Sequence, residues 1–202
     1  MNNSYSILSR SIGVLLHPSA LPGSVNCGTF GKPALKWLDG LAENGISVWQ
    51  LLPLAPCDST GSPYSSPSSF AFNPWFLDVD DLVEYGYLSA STVKELPSPI
   101  CQNNSKVDFG FAEIRSQKIG QLLRDSWAKQ SPKRHFAFKS WCNKQYWLED
   151  HVCFMELRRQ FKSVPWWEWP DGFSSRNQLT LCLWKSKFKD KLLENRLLQW
   201  HL

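Results

Sequence analysis

The sequence predicts an α/β fold. Two short apolar runs near the amino terminus, a helical pattern between them, and a long remainder with apolar residues at helical spacing all point that way. The first run is Ile12-Gly13-Val14-Leu15-Leu16, ending at His17-Pro18. Its length fits a strand over 11–16 buried on both faces. The second run, 46–52, holds Ile46, Val48, Trp49, Leu51 and Leu52 and is closed by Pro53 and Pro56. Between them, Pro33 suits a first helical turn, and Leu35, Leu38, Leu41 and Ala42 repeat at helical spacing. Gly45 stands where a helix C-terminal glycine is expected. The unit reads as strand, helix 33–44, strand. Such a unit normally pairs its strands in parallel through a right-handed crossover. An open sheet and a closed barrel both accommodate it.

From Asp58 to Asn73 the chain is rich in Ser, Gly and Pro, punctuated by Tyr64, Phe70 and Phe72. In parallel α/β folds the loops at strand C-termini hold the ligand site. A plain surface loop is the alternative, but a long loop with three buriable rings is uncommon unless it is functional.

The rest reads as mostly helical. Ile119, Leu122 and Leu123 share a face of a helix around 111–130. Leu148, Val152 and Met155 do so around 146–162, with Glu149 and Glu156 opposite and His151 near the apolar face as a packed, hydrogen-bonded histidine. Leu181, Trp184, Phe188 and Leu192 make one stripe on the last helix; Leu193, Leu197 and Trp200 make a second. Asp80-Asp81 reads as a helix start, where acids meet the positive end, and Asp171-Gly172 as a turn. No convincing strand follows residue 80, and the helical pattern runs to Leu202 without a stop signal. A closed eight-stranded barrel takes about 250 residues. Two strands make either a two-stranded α+β domain or the front of something larger.

At 202 residues, 43% hydrophobic and 20% charged, the composition is that of a soluble globular protein. No apolar run reaches membrane-span length, and the polar start lacks the pattern of a signal peptide. Both place the chain in the cytoplasm. Cysteines 27, 57, 101, 142, 153 and 182 show no Cys-x-x-Cys spacing. They read as free buried thiols rather than a zinc site or disulfides. The net charge of +4 is only mildly basic. The clusters Arg115–Arg134 and Lys185–Arg196 read as solvated helix faces rather than a nucleic-acid surface. With 11 tryptophans and 12 phenylalanines the chain is aromatic-rich. Most such rings are core, though flat rings also pack on pyranose faces.

Motifs for dinucleotide, nucleoside triphosphate, zinc-protease and serine-hydrolase chemistry are absent. Acids lie near aromatic segments, among them Asp78, Asp108, Glu168 and Asp171. Retaining glycosyl chemistry needs two carboxyl groups about 5–5.5 Å apart, which sequence spacing does not establish.

The stretch Arg10–Gly23, with Gly13-Val14-Leu15-Leu16-His17-Pro18 at its centre, resembles the opening strand and loop of the amylomaltases, which are 4-alpha-glucanotransferases. Val48-Trp49-Gln50-Leu51-Leu52-Pro53-Leu54-Ala55-Pro56 is similar to their second strand. Gly61-Ser62-Pro63-Tyr64-Ser65-Ser66 and Phe70-Ala71-Phe72-Asn73-Pro74 resemble their Ser-Pro-Tyr loop and the Ala-Phe and Asn-Pro that follow. Val107-Asp108-Phe109-Gly110 and Pro165-Trp166-Trp167-Glu168-Trp169-Pro170 are weaker matches in the expected order. The resemblance runs over residues 10–202. Three positions depart from it. Ser59 stands where many members carry tyrosine, on which a secondary glucan platform would be built. Pro67 and Phe72 stand where an aromatic residue and a glycine are frequent, which bears on the loop's shape.

The resemblance implies a (β/α)8 TIM barrel with helical insertions, of which this chain holds the first strands, so that the barrel is incomplete. Residues 1–80 would be the first strand–helix–strand part of the catalytic barrel with the substrate loop. Residues 81–202 would be a helical insertion ending in mid-helix. Family members cut an α-1,4 glucan bond and hold the glucosyl piece on an aspartate. They pass it to another sugar's 4-hydroxyl, with a glutamate as acid and base and a second aspartate in support. No metal or organic cofactor takes part. The partners implied are α-1,4-glucans and maltooligosaccharides, with no nucleic acid and no membrane. The family's three carboxylates lie downstream of Leu202, so no acid here carries a catalytic role and the chain alone is expected to be inactive. Ser62 and Tyr64 match the donor side of the glucan cleft. Asn73 is expected to hold the loop backbone, and His17 ends the first strand on the side where barrel sites form. The alternative is a stand-alone carbohydrate-binding or regulatory module derived from that enzyme.

Overall fold

The computed structural model describes residues 10–22, 27–58, 60–98 and 106–202. Strand β1, Gly13–Leu15, lies parallel to β2, Val48–Gln50, with Gly13 opposite Val48 and Leu15 opposite Gln50. Helix α1, Lys32–Glu43, crosses between them, with a proline in its first turn. It ends in a Schellman motif: Gly45 has a φ of +70°, its N–H donates to Ala42, and the Ile46 N–H reaches back to Leu41. The expected strand–helix–strand unit is present, and both strands are shorter than the runs 11–16 and 46–52.

One expectation fails here. β1 is not buried on both faces. Ile12 is 69% exposed and Leu15 is 54% exposed, and Leu35 on α1 is 60% exposed. Among the described residues the sheet has two strands, so each strand has an unpaired edge and no full layer covers either side. Of the apolar repeat on α1, Leu41 is buried, whereas Leu35 and Leu38 are exposed.

The helical part comprises α2, Val79–Glu84; α3, Ala90–Val93; α4, Phe109–Trp127; α5, Pro132–Lys144; α6, Leu148–Gln160; α7, Gln178–Lys187; and α8, Lys189–Trp200. Its main core joins α4 to α8 through Ile119, Leu122, Leu123, Leu197 and Leu198, with Leu77, Val79 and Leu82 closing one side. Gly120 permits the close approach: a Cβ there would lie 3.2 Å from the Leu198 side chain. A second core gathers Leu148, Val152 and Leu157 of α6 with Trp169, Trp184 and Leu192. Side-chain caps start the helices where the sequence offers them. Asp78 accepts from the Asp80 N–H, Asp108 from Phe111, Ser131 from Arg134 and Asn177 from Thr180. Asp80 and Asp81 do lie in a first helical turn, and Gly172 turns the chain with a φ of +89°.

Four details differ from the sequence reading. The last helix is two helices, broken at Phe188 (φ −107°, ψ 20°), whose ring stacks on Trp184 at 5.2 Å. Glu156 faces the interior, 4% exposed, because Arg159 and Gln160 hydrogen-bond its carboxylate. The basic clusters are not simply solvated: Arg196 donates twice to Glu149 (2.6 and 2.7 Å), and burial lowers the pKa of Arg115. Cys182 is exposed, while Cys153 is buried and Cys57 and Cys142 are half-buried. Cys101 and Ser59 lie outside the described residues. No helix among the described residues is long and apolar enough to cross a membrane.

Candidate functional site

β2 runs out at Gln50, and among the described residues no helix or strand follows until the 3-10 turn at Pro74–Phe76. Along this stretch Pro53, Leu54 and Ala55 line a groove of about 480 Å³ together with Pro63, Tyr64, Ser66 and the segment 68–72. The three rings flagged in the sequence are not core. Tyr64 is 74% exposed, Phe70 55% and Phe72 45%.

Local hydrogen bonds set the loop's shape. The Asp58 carboxylate accepts from the Thr60 hydroxyl at 2.6 Å and the Thr60 N–H at 2.9 Å. Those bonds, led by the Thr60 hydroxyl and followed by the Ser65 hydroxyl, hold its pKa below the usual carboxylate value. Gly61 then takes a φ of +74°, a conformation that L side chains disfavour. The Ser65 N–H closes a turn onto the Ser62 carbonyl at 3.2 Å. Ser62 is half-buried beside Tyr64. Further on, Ser68 Oγ accepts from the N–H groups of Phe70 and Ala71.

Asn73 anchors the loop's far end. It is 1% exposed, its Oδ1 accepts from the Trp75 N–H, and its Nδ2 points at Cys57 Sγ. Its own N–H donates to Leu54 at 2.8 Å. Those bonds tie the end of the loop to its beginning.

His17 follows β1 as Pro53 follows β2. Its Nδ1 bonds Ser19 Oγ at 2.7 Å, and its ring meets Phe76 edge-on at 5.3 Å. Burial holds its pKa below the usual imidazole value, opposed by the Pro53 carbonyl. The buried Nε2 has no hydrogen-bond partner among the described residues. Pro53 also lines the groove with Tyr64, so the histidine and the tyrosine stand at the same, C-terminal end of the strand pair. Ser62, Tyr64, Asn73 and His17 thus belong to the segments that follow the two strands; Tyr64 lines the groove and the other three lie outside its lining.

Two residues of this region escaped the sequence reading. Gln199 of α8 grips the Phe72 backbone from 127 positions away: its Oε1 accepts from the Phe72 N–H at 3.0 Å, and its Nε2 donates to the Phe72 carbonyl at 2.8 Å. Trp147, just before α6, stacks on Phe70 at 6.4 Å and 14°. Neither pairing has a local signal in the sequence.

The groove has no acid pair with which to cleave a glycosidic bond. Among the described residues that line it there is no carboxylate. Serine hydroxyls and carbonyls beside exposed rings suit a neutral polyhydroxylated ligand.

A family model for 4-alpha-glucanotransferase matches residues 16–202. Among curated relatives, a 4-alpha-glucanotransferase of Synechocystis is 32% identical over 95% of this chain and 38% of its own length. That of Thermus thermophilus is 33% identical over 96% of this chain and 38% of its own length. A solved structure, an amylomaltase from Streptococcus agalactiae in complex with acarbose, superposes with a TM-score of 0.86 at 25% identity, covering 96% of this chain and 39% of that one. The chain spans less than two-fifths of the length of these relatives, and across that span it belongs to the 4-alpha-glucanotransferase family.

Proposed function

We propose that these residues form the front of a (β/α)8 catalytic barrel and its donor-side glucan loop, in an enzyme that moves α-1,4-glucan segments to a new 4-hydroxyl acceptor. On this reading residues 1–80 belong to the barrel and 81–202 to a helical insertion that buttresses the loop. The observation that carries it is the exposed groove of Tyr64, Phe70 and Phe72 at the C-terminal end of two parallel strands, where α/β barrels place their sites. Tyr64 supplies a flat ring and a hydroxyl to the glucan, and Ser62 a second hydroxyl. Asn73 and His17 hold the floor on which they stand.

The chemistry on this reading is a retaining double displacement. Its nucleophile and its acid/base group come from strands other than β1 and β2. The chain by itself then binds α-1,4-glucans without transferring them, works without metal or cofactor, and acts in the cytoplasm. The exposed apolar side chains Ile12 and Leu15, beside and on β1, and Leu35 on α1 favour this reading over a stand-alone carbohydrate-binding module, which would be expected to cover them. Incubation of residues 1–202 with maltotriose tests it. The expected outcome is neither glucose nor longer oligomers. Steady product formation, lost on substituting an acid of this chain, would place the catalytic pair here instead.

A further inference from the structure

We infer that Gln199 is a positioning residue for the glucan loop: its side-chain amide, held by α8, fixes the conformation of Phe72 and through it the groove of Tyr64. The inference rests on the glucan-binding reading of that groove.

The loop needs such an anchor. Among the described residues it has no strand partner, and its internal hydrogen bonds are local, mostly serine and Asp58 side chains meeting backbone two or three residues away. Bonds of that range shape turns without fixing where the loop sits. Gln199 is different. It is 4% exposed, and burying an amide costs free energy unless its donor and acceptor are both satisfied. Both are satisfied on one residue of the loop, Phe72. The amide therefore treats Phe72 as a neighbouring strand would, engaging N–H and C=O together.

The helix that carries it is firmly placed. Leu197 and Leu198 are in the main core. The neighbouring loop residue, Asn73, is tied to Leu54 and Cys57. Phe72 and Asn73 thus link the helical part on one side to the segment after β2 on the other. The Phe70–Trp147 stack adds a second contact from the same helical part. A groove held in its binding shape binds more tightly than one that must be ordered first.

Two substitutions test this. In Gln199→Leu the side chain keeps its bulk but cannot bond Phe72. We expect the exchange protection of the Phe72 amide to fall roughly tenfold or more, with the amides of Ile119 and Leu123 in α4 held within about twofold. In Gln199→Glu the neutral acid can still donate to the Phe72 carbonyl and accept from its N–H, whereas the carboxylate faces that carbonyl with no proton to give. Protection at Phe72 should therefore be near the unaltered level at acid pH and be lost as the carboxyl ionises. A merely structural role would not produce that pH signature. Unchanged protection at Phe72 in Gln199→Leu, or an equal loss in α4, would overturn the inference. Acarbose titrations on the same samples separate the two ideas. Weaker binding in Gln199→Leu supports the positioning role. An unaltered protein that ignores acarbose while the exchange contrast holds counts against the glucan reading and not against the clamp.

Discussion

Gly61 lies against the ring of Phe109, so close that a Cβ on the glycine would sit 2.3 Å from a ring carbon. Phe109 in turn stacks on Trp75 at 5.4 Å and 25°, so the base of the 58–73 loop rests on the start of α4. The Gly61 backbone is also left-handed, with a φ of +74°. Gly61→Ala should cost about 2–4 kcal/mol through backbone strain and overpacking together. Urea unfolding measures it. The penalty should shrink in a Phe109→Ala background, because the clash is then gone; additive effects would contradict the contact.

Glu194 is 4% exposed on α8 and receives Arg124 of α4 at 2.5 Å and Lys191 at 2.9 Å. Removing one partner of a buried pair leaves a charge that water no longer solvates. Arg124→Met should destabilise by about 2 kcal/mol, discounted from a fully buried pair because Lys191 remains and Arg124 is partly solvated. Arg124→Met with Glu194→Leu should lose less than Arg124→Met alone. Denaturant midpoints of the three variants against the unaltered protein decide it.

The strand–helix–strand unit was legible because its signals are local: two apolar runs, Pro33 at one end of the helix and Gly45 at the other. Burial of the strands was not, since it depends on what packs against them rather than on Leu15 or Val48 themselves. Helix α5 had a start signal in Ser131-Pro132, but Phe136 and Phe138 lie too close together to mark one face, so the helix was submerged in a general helical reading. The break at Phe188 was hidden because the apolar stripe runs straight through it. Glu156 and Glu194 look like solvent-facing acids until the arginines that pair with them are placed. At the candidate site, the loop positions of Tyr64 and Asn73 were legible from their Ser-Pro-Tyr and Asn-Pro settings. Gln199 was not, because its partner is distant in sequence and a lone glutamine carries no pattern.

Burial pushes the pKa of His151 down to about 4, against 6.5 unperturbed, and its ring packs on Trp147 at 5.8 Å. The unfolded chain therefore binds a proton there that the folded chain refuses. Stability from this residue is full above about pH 6.5 and drains away as pH falls toward 4. Between pH 7 and pH 5 the loss should be about 2 kcal/mol. His201, lowered to about 4 by burial and then by Arg134, adds in the same direction. Urea unfolding at the two pH values, with His151→Leu as comparison, should show a flatter dependence in the variant. An identical slope would contradict the assignment.

Ile12, Leu15 and Leu35 leave apolar side chains open to solvent around the strand pair. Exposed apolar surface promotes association. Light scattering should show mass rising with protein concentration, and Ile12→Thr with Leu35→Lys should reduce it. A strictly monomeric unaltered protein over the same range would show that these side chains do not govern association.

The most direct test of the glucan reading is an acarbose titration of the isotopically labelled protein, followed by backbone amide shifts. We expect the largest changes at Ser62, Tyr64 and residues 68–72, with smaller ones at Leu54 and His17, and a marked loss of affinity in Tyr64→Ala. Shifts confined to other surfaces, or affinity untouched by Tyr64→Ala, would contradict the assignment of this groove as the glucan site.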